Sequence, residues 1–392
     1  SDESWDPDAC RAAGEGLLRD GRIACFTVAG GQGSRLGYDG PKGCYPATPI
    51  SGKTLFEVFA ESIGAAQRKY ETTIQWYIMT SPLNHDATTA FFAKHGNFGL
   101  EIMFFPQGVM PSFDKTTGRI LLSSKSTVAT NPDGHGGSFR ALVQSGAVAD
   151  MTRRGIEHIS YFQVDNPLCH VVDPVFLGLH ATKSSAEMSS KMVPKAYPDE
   201  KLGVFCAVDG RVQVIEYSDL PQPLQQERGP DGTLRFLAGS IAIHTMGVEF
   251  VTRVVSDEAF ALPWHRAVKK VPSIDLETGR LVEPMEPNAV KLEQFVFDAL
   301  PLCTSSVVYE TSREEEFAPI KNATGVDSPE SSRRLQTARA ARWLEAAGAT
   351  VPRDAEGRPD CVIELSPSTA IAPEDLVGRS LPRLEPGQQV KL

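Results

Sequence analysis

A glycine-rich segment followed by two basic residues is the first part of this chain whose residue types suggest chemistry. Residues 30–37 read GGQGSRLG, and Arg35 is followed seven residues later by Lys42 in the segment GPKG. Glycines let backbone N–H groups approach a ligand closely, and such groups bind phosphate well beside cations. Arg35 and Lys42 could neutralise a triphosphate and stabilise charge that moves onto a leaving pyrophosphate. A glycine-rich surface turn with solvated charges is the alternative interpretation.

Two common phosphate-binding motifs do not fit this loop. A dinucleotide-binding G-x-G-x-x-G pattern that starts at Gly31 needs a final glycine where Leu36 stands. The tetrapeptide SGKT at 51–54 resembles the end of a P-loop, but the upstream glycine of that motif falls at Ala47. The loop is therefore predicted to bind phosphate in another way.

Two segments further along the chain also have site-like composition. The sequence PDGHGG at 132–137 places small residues around His135 directly before a predicted helix, which favours a second close backbone approach to a ligand, such as a nucleobase edge. Asp165 follows the apolar run HISYFQV at 158–164, and a carboxylate held at the end of a buried strand could bind Mg²⁺. A helix cap or turn is the alternative role for Asp165.

These segments lie among alternating strand-like and helix-like stretches. Buried strands are predicted at 22–29, 74–80, 100–105 and 158–164, and helices at 54–70, 86–95 and 138–153. This order predicts an α/β fold with a largely parallel sheet and helices on both faces. Ligands of such sheets bind at the carboxyl ends of the strands, so the glycine loop, Gln107 and Asp165 should meet at one edge.

The pattern changes after the last of these strands. Residues 203–217 alternate and turn at Asp209 and Gly210, which predicts an antiparallel hairpin. Further predictions are a strand at 236–246 and helices at 290–300 and 333–347. We expect an N-terminal lead at 1–21, a central domain at 22–330 and a small C-terminal domain or tail at 331–392.

The composition excludes several classes of protein. The chain has 392 residues and a formal net charge of −10, so it has no general basic field for nucleic acid or an anionic membrane. Its seven cysteines include no CxxC pair, which favours a reducing compartment over a disulfide scaffold or structural zinc site. No apolar run approaches the about 20 residues of a membrane helix, and the first residues do not resemble a signal peptide. A soluble cytoplasmic protein is expected.

Several motifs occur together in one order between about residue 22 and residue 345. They are GGQGSRLG with PKG, FPQGVMPS, PDGHGG, VDNPL, LGVF, EYSD, LAGSIAIH, PNAVKLEQFVFD and REEEFAPIKNA. Taken together, they resemble the eukaryotic UDP-N-acetylglucosamine pyrophosphorylase family, within the wider UDP-sugar pyrophosphorylases. Members of this family are uridylyltransferases that convert UTP and N-acetylglucosamine 1-phosphate to UDP-N-acetylglucosamine and pyrophosphate. The resemblance implies the same reaction here, with UTP and a sugar 1-phosphate as substrates and Mg²⁺ as cofactor.

The resemblance also implies a fold and a set of site residues. The fold is a Rossmann-like mixed sheet of the glycosyltransferase A type nucleotidyltransferases, with a small C-terminal domain. Arg35, Lys42 and Lys321 match catalytic cations near the phosphates, and Asp165 matches the aspartate near the metal. The implied nucleotide contacts are Ala29, Gly30, Gly31, Gln32, Gln107, Gly134 and His135. The implied sugar contacts are Gly203, Glu216, Tyr217, Ser240 and Lys291.

The sequence departs from the family pattern at two positions. His135 stands where the family usually has asparagine, and Ser240 replaces an asparagine expected near the sugar. His135 could accept a hydrogen bond when neutral or meet phosphate when charged, and serine is too short to span the gap that an asparagine amide fills. Either the two changes rearrange water around the same sugar, or the enzyme prefers another sugar 1-phosphate, such as that of N-acetylgalactosamine, glucose or galactose.

Two functions of other classes remain as alternatives. A sugar-transferring enzyme of the same fold would usually have a DxD motif where this chain has Asp165, Asn166 and Pro167. A non-catalytic UDP-sugar-binding protein would be expected to lack the cations that handle phosphate, whereas Lys42 and Lys321 are present. The sequence does not indicate an oligomeric state.

Overall fold

A nine-stranded mixed sheet forms the centre of the computed structural model, which describes residues 5–257 and 261–392. In chain order the strands are β1 (Ile23–Val28), β2 (Trp76–Thr80), β3 (Ile102–Pro106), β4 (His158–Gln163), β5 (Met188–Pro194), β6 (Val204–Val208), β7 (Arg211–Ile215), β8 (Ala238–Gly247) and β9 (Val308–Glu310). Their spatial order is β7-β6-β8-β4-β1-β2-β3, and β5 pairs with both β8 and β9.

The four predicted buried strands form the parallel half of this sheet. Strand β1 pairs in parallel with β2 and β4, and β2 pairs in parallel with β3. Val28 lies opposite both Met79 and Gln163, so β1, β2 and β4 reach the same sheet edge. The other half of the sheet is mainly antiparallel, with β8 antiparallel to β4, β5 and β6. The predicted hairpin is present as β6 and β7, and Asp209 and Gly210 at its turn both have positive φ.

Ten helices accompany the sheet in the described ranges. They are α1 (Pro7–Arg19), α2 (Leu55–Tyr70), α3 (His85–Lys94), α4 (Ser138–Gln144), α5 (Ala147–Arg154), α6 (Pro174–Lys183), α7 (Gln222–Gln226), α8 (Val248–Ser256), α9 (Arg313–Glu316) and α10 (Pro329–Ala346). Helix α2 begins with the predicted capping box, in which Thr54 accepts from the Glu57 N–H and the Glu57 carboxylate accepts from the Thr54 N–H. Short 3₁₀ turns lie at Ser34–Leu36, Lys42–Cys44, Gly96–Gly99, His135–Gly137, Val296–Leu302 and Pro373–Leu376.

Helices cover both faces of the sheet, as the sequence predicted. One buried cluster joins α1, α2, α3 and α6 to the sheet, and the other joins α4, α5 and α8 to its opposite face. Because successive side chains of a strand point to opposite faces, Cys25 of β1 lies in the first cluster and Phe26 in the second. The parallel strands are therefore buried on both sides, which explains why they read as continuous apolar runs.

One helix prediction was wrong, and another predicted helix is interrupted. Residues 290–300 were expected to be one helix, but Ala289–Glu293 is a strand that pairs with His265–Lys269, and the 3₁₀ turn Val296–Leu302 follows it. Pairing with a strand distant in sequence overrides the helical spacing of these residues. The helix expected at 138–153 is divided into α4 and α5 by Gly146, which adopts a left-handed conformation.

Smaller strands lie at the periphery of the sheet. They are Val109–Pro111, Phe113–Asp114, Leu122–Ser124, Thr127–Val128, Thr130–Pro132, His265–Lys269, Ser273–Ile274, Leu281–Val282, Ala289–Glu293, Val362–Glu364 and Gln389–Lys391. Their pairing brings residues near 110–135 together with residues near 265–295, since Phe113–Asp114 pairs with Ala289–Glu293. This arrangement places Lys291 and Phe295 beside the PDGHGG segment.

The last part of the chain has an apolar cluster of its own. Ala340, Leu344, Ile363 and Leu376 pack together there, apart from the clusters on the two faces of the sheet. The Glu364 carboxylate accepts hydrogen bonds from the backbone N–H groups of residues 50 and 51, which connects this part to the central sheet. A domain boundary near residue 330 stays a prediction.

None of the helices in the described ranges combines the length and apolarity of a membrane span.

Candidate active site

The glycine loop after β1 folds back on itself and brings Lys42 to its base. The Ala29 N–H donates to Met79 O at 2.7 Å, which continues the β1–β2 pairing by one residue. The Lys42 N–H donates to Gly31 O at 3.0 Å, and the Gly33 N–H donates to Gly40 O at 2.9 Å. Lys42 is thus fixed beside the glycines despite the ten residues that separate it from Gly31.

Asn84 holds this loop from the neighbouring strand end. Its Nδ2 donates to the carbonyl oxygens of Ala29, at 2.9 Å, and Gly31, at 3.2 Å. Its Oδ1 accepts from the Ser81 N–H at 2.8 Å, and the side chain is buried. Sequence reasoning missed Asn84, whose only local signal is its position directly before α3.

Gly30 allows Gln107 to lie against the loop. A Cβ atom at residue 30 would come within 2.3 Å of Gln107 Oε1, far below a van der Waals contact. The Gln107 Nε2 donates to Asp133 Oδ1 at 3.2 Å and to Gly134 O at 3.5 Å. The amide is therefore oriented, with Nε2 toward Asp133 and Oε1 toward the glycine loop. Burial raises the pKa of Asp133, although the hydrogen bond from Gln107 opposes that shift.

The PDGHGG segment packs closely against another backbone segment of the protein, and its predicted approach to a ligand stays a prediction. Gly134 has a φ of +86°, and a Cβ there would lie 2.4 Å from Gln294 O. Gly136 is equally crowded, because its Cβ would meet Gln294 and Phe295 backbone atoms at 2.6 Å. Glycine is required at both positions by contact with the segment after the strand Ala289–Glu293.

His135 is neutral in this structure. Burial, with a smaller contribution from His265, lowers the pKa of His135 to about 4. Its Nδ1 accepts a hydrogen bond from the Val296 N–H at 3.1 Å, so the ring proton resides on Nε2. The ring stacks on Phe295 at a centroid distance of 5.1 Å, and Phe295 stacks on His265. Of the two roles considered for His135, binding phosphate as a cation is therefore disfavoured at neutral pH.

Asp165 and Lys42 form an ion pair at the carboxyl end of β4. Their Oδ2 and Nζ atoms are 3.4 Å apart, and both side chains are mostly buried. This distance is longer than the about 2.7–2.9 Å of a strong charge-assisted hydrogen bond, so the contact is loose. Gln163, the last residue of β4, lies directly before this site and was not predicted as part of it.

A cavity of about 310 Å³, called here the glycine-loop cavity, lies above this edge of the sheet. Its lining includes Gly30, Gly31, Lys42, Gln107, Gly134 and Lys291. Lys291, which was predicted to contact the sugar, lines this cavity together with the glycines. Ala29 is fully buried beneath the loop, and Gln32 and Arg35 are exposed and line neither this cavity nor the next one.

A second cavity of about 190 Å³, called here the Glu216 cavity, adjoins the first. Its lining includes Gly203, Glu216, Tyr217, Ser240, Phe317 and Lys321. Three residues, His135, Gln163 and Asp165, line both cavities. The two cavities are therefore neighbours at the carboxyl ends of the strands, and Asp165 lies at the boundary between them.

The Glu216 cavity offers polar groups that can receive hydroxyl groups. Burial raises the pKa of Glu216, while the nearby backbone and Lys321 partly offset this shift. A Cβ at Gly203 would lie 2.8 Å from Val214 and 3.2 Å from Glu216 Oε1. The absence of a side chain at residue 203 therefore leaves room for the Glu216 carboxylate. The Ser240 hydroxyl is buried and has no hydrogen-bond partner among the described residues, which suits a group that meets a ligand or water.

Lys321 reaches this cavity on a segment fixed by Asp165 and Asn166. The Ile320 N–H donates to Asp165 O at 2.8 Å, and the Ala318 N–H donates to Asn166 Oδ1 at 3.0 Å. The Lys321 ammonium lies 5.6 Å from the Phe317 ring centroid. Asn166 was missed as a functional residue because its partners lie about 150 positions away in the chain.

One carboxylate beside space for phosphates fits Mg²⁺. Mg²⁺ commonly uses one or two protein carboxylates together with substrate phosphates and water. Asp165 would hold it at the junction of the two cavities. A different group of potential ligands in the described ranges, His170, Asp173 and Glu316, includes two carboxylates that already form ion pairs with the Lys191 ammonium.

Comparison with known proteins now decides the family. The profile of the UTP–glucose-1-phosphate uridylyltransferase family matches residues 10–354. The chain belongs to this family. It is 40% identical over 384 residues to the UDP-N-acetylhexosamine pyrophosphorylase-like protein 1 of Xenopus tropicalis, which covers 92% of this chain and 74% of the relative. It is 38% identical over 367 residues to the Saccharomyces cerevisiae UDP-N-acetylglucosamine pyrophosphorylase, with 91% and 75% covered.

A solved structure of this family shares the architecture. The crystal structure of Trypanosoma brucei UDP-N-acetylglucosamine pyrophosphorylase, solved with an inhibitor, matches with a TM-score of 0.83 and 28% identity. The match covers 94% of this chain and 77% of that one. The family resemblance and the nucleotidyltransferase type of fold that the motifs indicated are confirmed.

Proposed function

We propose that this protein is a uridylyltransferase that converts UTP and N-acetylglucosamine 1-phosphate to UDP-N-acetylglucosamine and pyrophosphate. The observation that carries the proposal is the meeting of two cavities at Asp165, one containing Lys42 and the other Lys321. Two anionic substrates could occupy neighbouring cavities there, each beside a cation. The names of relatives at 38–40% identity support this reaction.

The glycine-loop cavity suits the uridine triphosphate. Gln107 Oε1 faces the loop and can accept a hydrogen bond from the N3–H of uracil, while cytosine has an acceptor at that position. Backbone N–H groups near Gly30 and Gly31 can donate to phosphate oxygens, and Lys42 supplies a positive charge. We infer that Gln107 distinguishes UTP from CTP, and that Gly134 gives the base room to approach.

In the Glu216 cavity, the sugar ring would lie between Glu216 and Ser240. The Glu216 carboxylate can accept hydrogen bonds from ring hydroxyl groups, and the Ser240 hydroxyl gains the partner that it lacks in the protein. Lys321 would bind the 1-phosphate at the end of the cavity nearest Asp165. N-acetylglucosamine 1-phosphate is the proposed substrate, with the N-acetylgalactosamine, glucose and galactose 1-phosphates as alternatives because of Ser240.

In the reaction, an oxygen of the sugar 1-phosphate attacks the α-phosphorus of UTP. The new oxygen–phosphorus bond forms as the bond from the α-phosphorus to the bridging oxygen breaks, and pyrophosphate leaves with that electron pair. The protein mainly holds two anions together and neutralises the developing charge. Fixed geometry alone can lower such a barrier by up to about 7–11 kcal/mol. Lys42 and Lys321 would neutralise charge on either side of the reacting phosphorus, and exposed Arg35 could reach the outer phosphates from its 3₁₀ turn.

Mg²⁺ at Asp165 would add positive charge to the phosphates when bound. Asp165 would hold the ion, and the Lys42 ammonium, which lies 3.4 Å from the same carboxylate, would add its own positive charge beside the phosphates. A reducing compartment such as the cytoplasm fits the seven cysteines, all of which are free of disulfides.

Pyrophosphate release from UTP, Mg²⁺ and a panel of sugar 1-phosphates tests the proposal. The expected result is the highest kcat/KM with N-acetylglucosamine 1-phosphate. A higher value with glucose 1-phosphate would overturn the proposed sugar but keep the reaction. Sugar transfer from UDP-sugar to an acceptor, or UDP-sugar binding without turnover, would overturn the reaction itself.

A further inference from the structure

A buried lysine in the central sheet lies behind the segment that carries Lys321. Lys191, on β5, is completely buried. Its ammonium lies 2.6 Å from Asp173 Oδ2 and 2.6 and 2.7 Å from the two carboxylate oxygens of Glu316. A fully buried lysine is uncommon and requires such partners, because an unpaired charge in the interior is very unfavourable. Lys191 lines neither of the two cavities.

Glu316 connects its own segment to the chain after β4 through its carboxylate and its carbonyl oxygen. Its Oε1 accepts from the His170 N–H at 3.2 Å, and its Oε2 accepts from Thr311 Oγ1 at 3.0 Å. Its carbonyl oxygen accepts from Asn166 Nδ2 at 2.7 Å. Lys191 therefore holds one of the residues that join the chain after β4 to the segment leading to Lys321.

The contacts continue without a break to the cavity. Asn166, which is bound by Glu316, accepts the Ala318 N–H with its Oδ1 atom. The carbonyl oxygen of Asp165 accepts the Ile320 N–H, and Lys321 is the next residue in the chain. Phe317, between these contacts, lines the Glu216 cavity and lies beneath the Lys321 ammonium. Rigid hydrogen-bonded chains of this kind fix side-chain geometry to the precision that catalysis requires.

We propose that Lys191 is a positioning residue for the reaction: through Glu316 and Asn166 it sets the distance between Lys321 and Asp165. The inference rests on the proposed uridylyltransferase function. Loss of the ammonium would release Glu316, because two buried carboxylates would then repel each other and seek water. Lys321 would then no longer be held in one position. The glycine loop would keep its conformation, because Asn84 holds it.

A double-mutant cycle tests this proposal. Lys191→Met should lower kcat/KM for the sugar 1-phosphate at least tenfold and change the KM for UTP by less than threefold. In the Lys321→Ala background, the same substitution should lower kcat/KM by less than threefold, because the cation that it positions is already absent. Equal factors in both backgrounds, or unchanged kcat/KM in the folded single variant, would overturn the proposal.

Two further variants keep the test decisive. If Lys191→Met does not fold, Glu316→Gln is tested instead in the same double-mutant cycle. Glutamine retains the shape and one acceptor oxygen of residue 316 but removes its charge. Lys53→Met is the matched control, since Lys53 also pairs with a glutamate, Glu61, but lines neither cavity. It should leave kcat/KM within twofold of the wild type. A loss with Lys53→Met as large as that with Lys191→Met would indicate a general effect of breaking ion pairs and overturn the positioning role.

Failure of the underlying function is distinguishable from failure of the positioning role. A wild-type protein that released no pyrophosphate would refute the proposed function alone. The cycle would then be measured as affinity for UDP-N-acetylglucosamine by calorimetry. Non-additive losses would still support the role of Lys191, and additive losses would still refute it.

Discussion

Replacing Gly30 by alanine disturbs one defined contact of the proposed nucleotide site. The added Cβ would lie 2.3 Å from Gln107 Oε1 and 3.4 Å from Ser81 Cβ. The first distance requires movement, and the atom that can move is the far end of the Gln107 side chain. Gln107 would turn away from the loop and weaken its hydrogen bonds to Asp133 and Gly134. We therefore expect Gly30→Ala to displace the proposed base-reading amide while the fold is retained.

The size of the effect follows from the contact that is lost. A hydrogen bond in a buried site, with its partner left unsatisfied, is worth about 1–3 kcal/mol. At about 1.4 kcal/mol for each factor of ten, kcat/KM for UTP should fall by roughly 5- to 150-fold. The free energy of unfolding should fall by no more than about 2 kcal/mol, because the clash involves a flexible side-chain end.

The assay compares UTP with CTP in steady-state pyrophosphate release. Wild-type protein should prefer UTP, since Gln107 Oε1 can accept from the N3–H of uracil but not from cytosine. Gly30→Ala and Gln107→Ala should both reduce this preference, and the double variant should resemble Gln107→Ala. Urea unfolding of each variant shows whether stability accounts for any loss.

Gly31→Ala is the matched substitution, because a Cβ at residue 31 meets no protein atom within 4 Å. It should leave the preference for UTP over CTP intact, whatever its effect on phosphate binding. The reasoning is refuted if Gly30→Ala keeps the wild-type ratio of kcat/KM values for the two nucleotides, or if its loss adds fully to that of Gln107→Ala.

Three other outcomes follow from the structure. Lys42→Ala should lower kcat at least about 100-fold in pyrophosphate release, by analogy with the loss of one transition-state donor, and near-normal kcat would remove Lys42 from the mechanism. Ser240→Asn should raise the preference for N-acetylated over plain hexose 1-phosphates by about tenfold in kcat/KM, while an unchanged ratio would show that residue 240 does not select the sugar. Burial lowers the pKa of His180 and of His244 from 6.5 to about 3, so the unfolded state binds more protons between these values and stability falls as the pH falls from 6.5 toward 3. Each histidine contributes on the order of 4 kcal/mol to this loss of stability. When urea unfolding is measured at pH 7 and pH 4, His244→Gln should show a smaller loss of stability than the wild type, and His95→Gln, a variant at an exposed site, should not. Equal losses in the two variants would contradict the assignment.

The parallel half of the sheet could be read from the sequence because its signals are local. Strands buried on both faces give continuous apolar runs, and the capping box at Thr54 and the turn at Asp209 are set by neighbouring residues. The strand at Ala289–Glu293 was misread because its partner, His265–Lys269, decides its conformation and leaves no local trace.

The site shows the same division. The glycine loop, Gln107 and Asp165 were expected to meet at one sheet edge because glycines and polar residues follow the strands in the sequence, and all of them line the glycine-loop cavity. Asn84, Asn166 and Lys191 were missed, because each acts through partners more than fifty positions away. The neutral state of His135 depends on burial and on the Val296 N–H, which only the assembled structure shows.

The fate of the phosphorus atoms tests the proposed reaction most directly. UTP labelled with ³²P at either the α or the γ position is incubated with N-acetylglucosamine 1-phosphate and Mg²⁺, and the products are separated. The α label should appear in UDP-N-acetylglucosamine and the γ label in pyrophosphate, in equal amounts, with no label transferred when the sugar phosphate is omitted. Label from the γ position in the sugar product, or nucleotide binding with no transfer of either label, would contradict attack at the α-phosphorus across the two joined cavities.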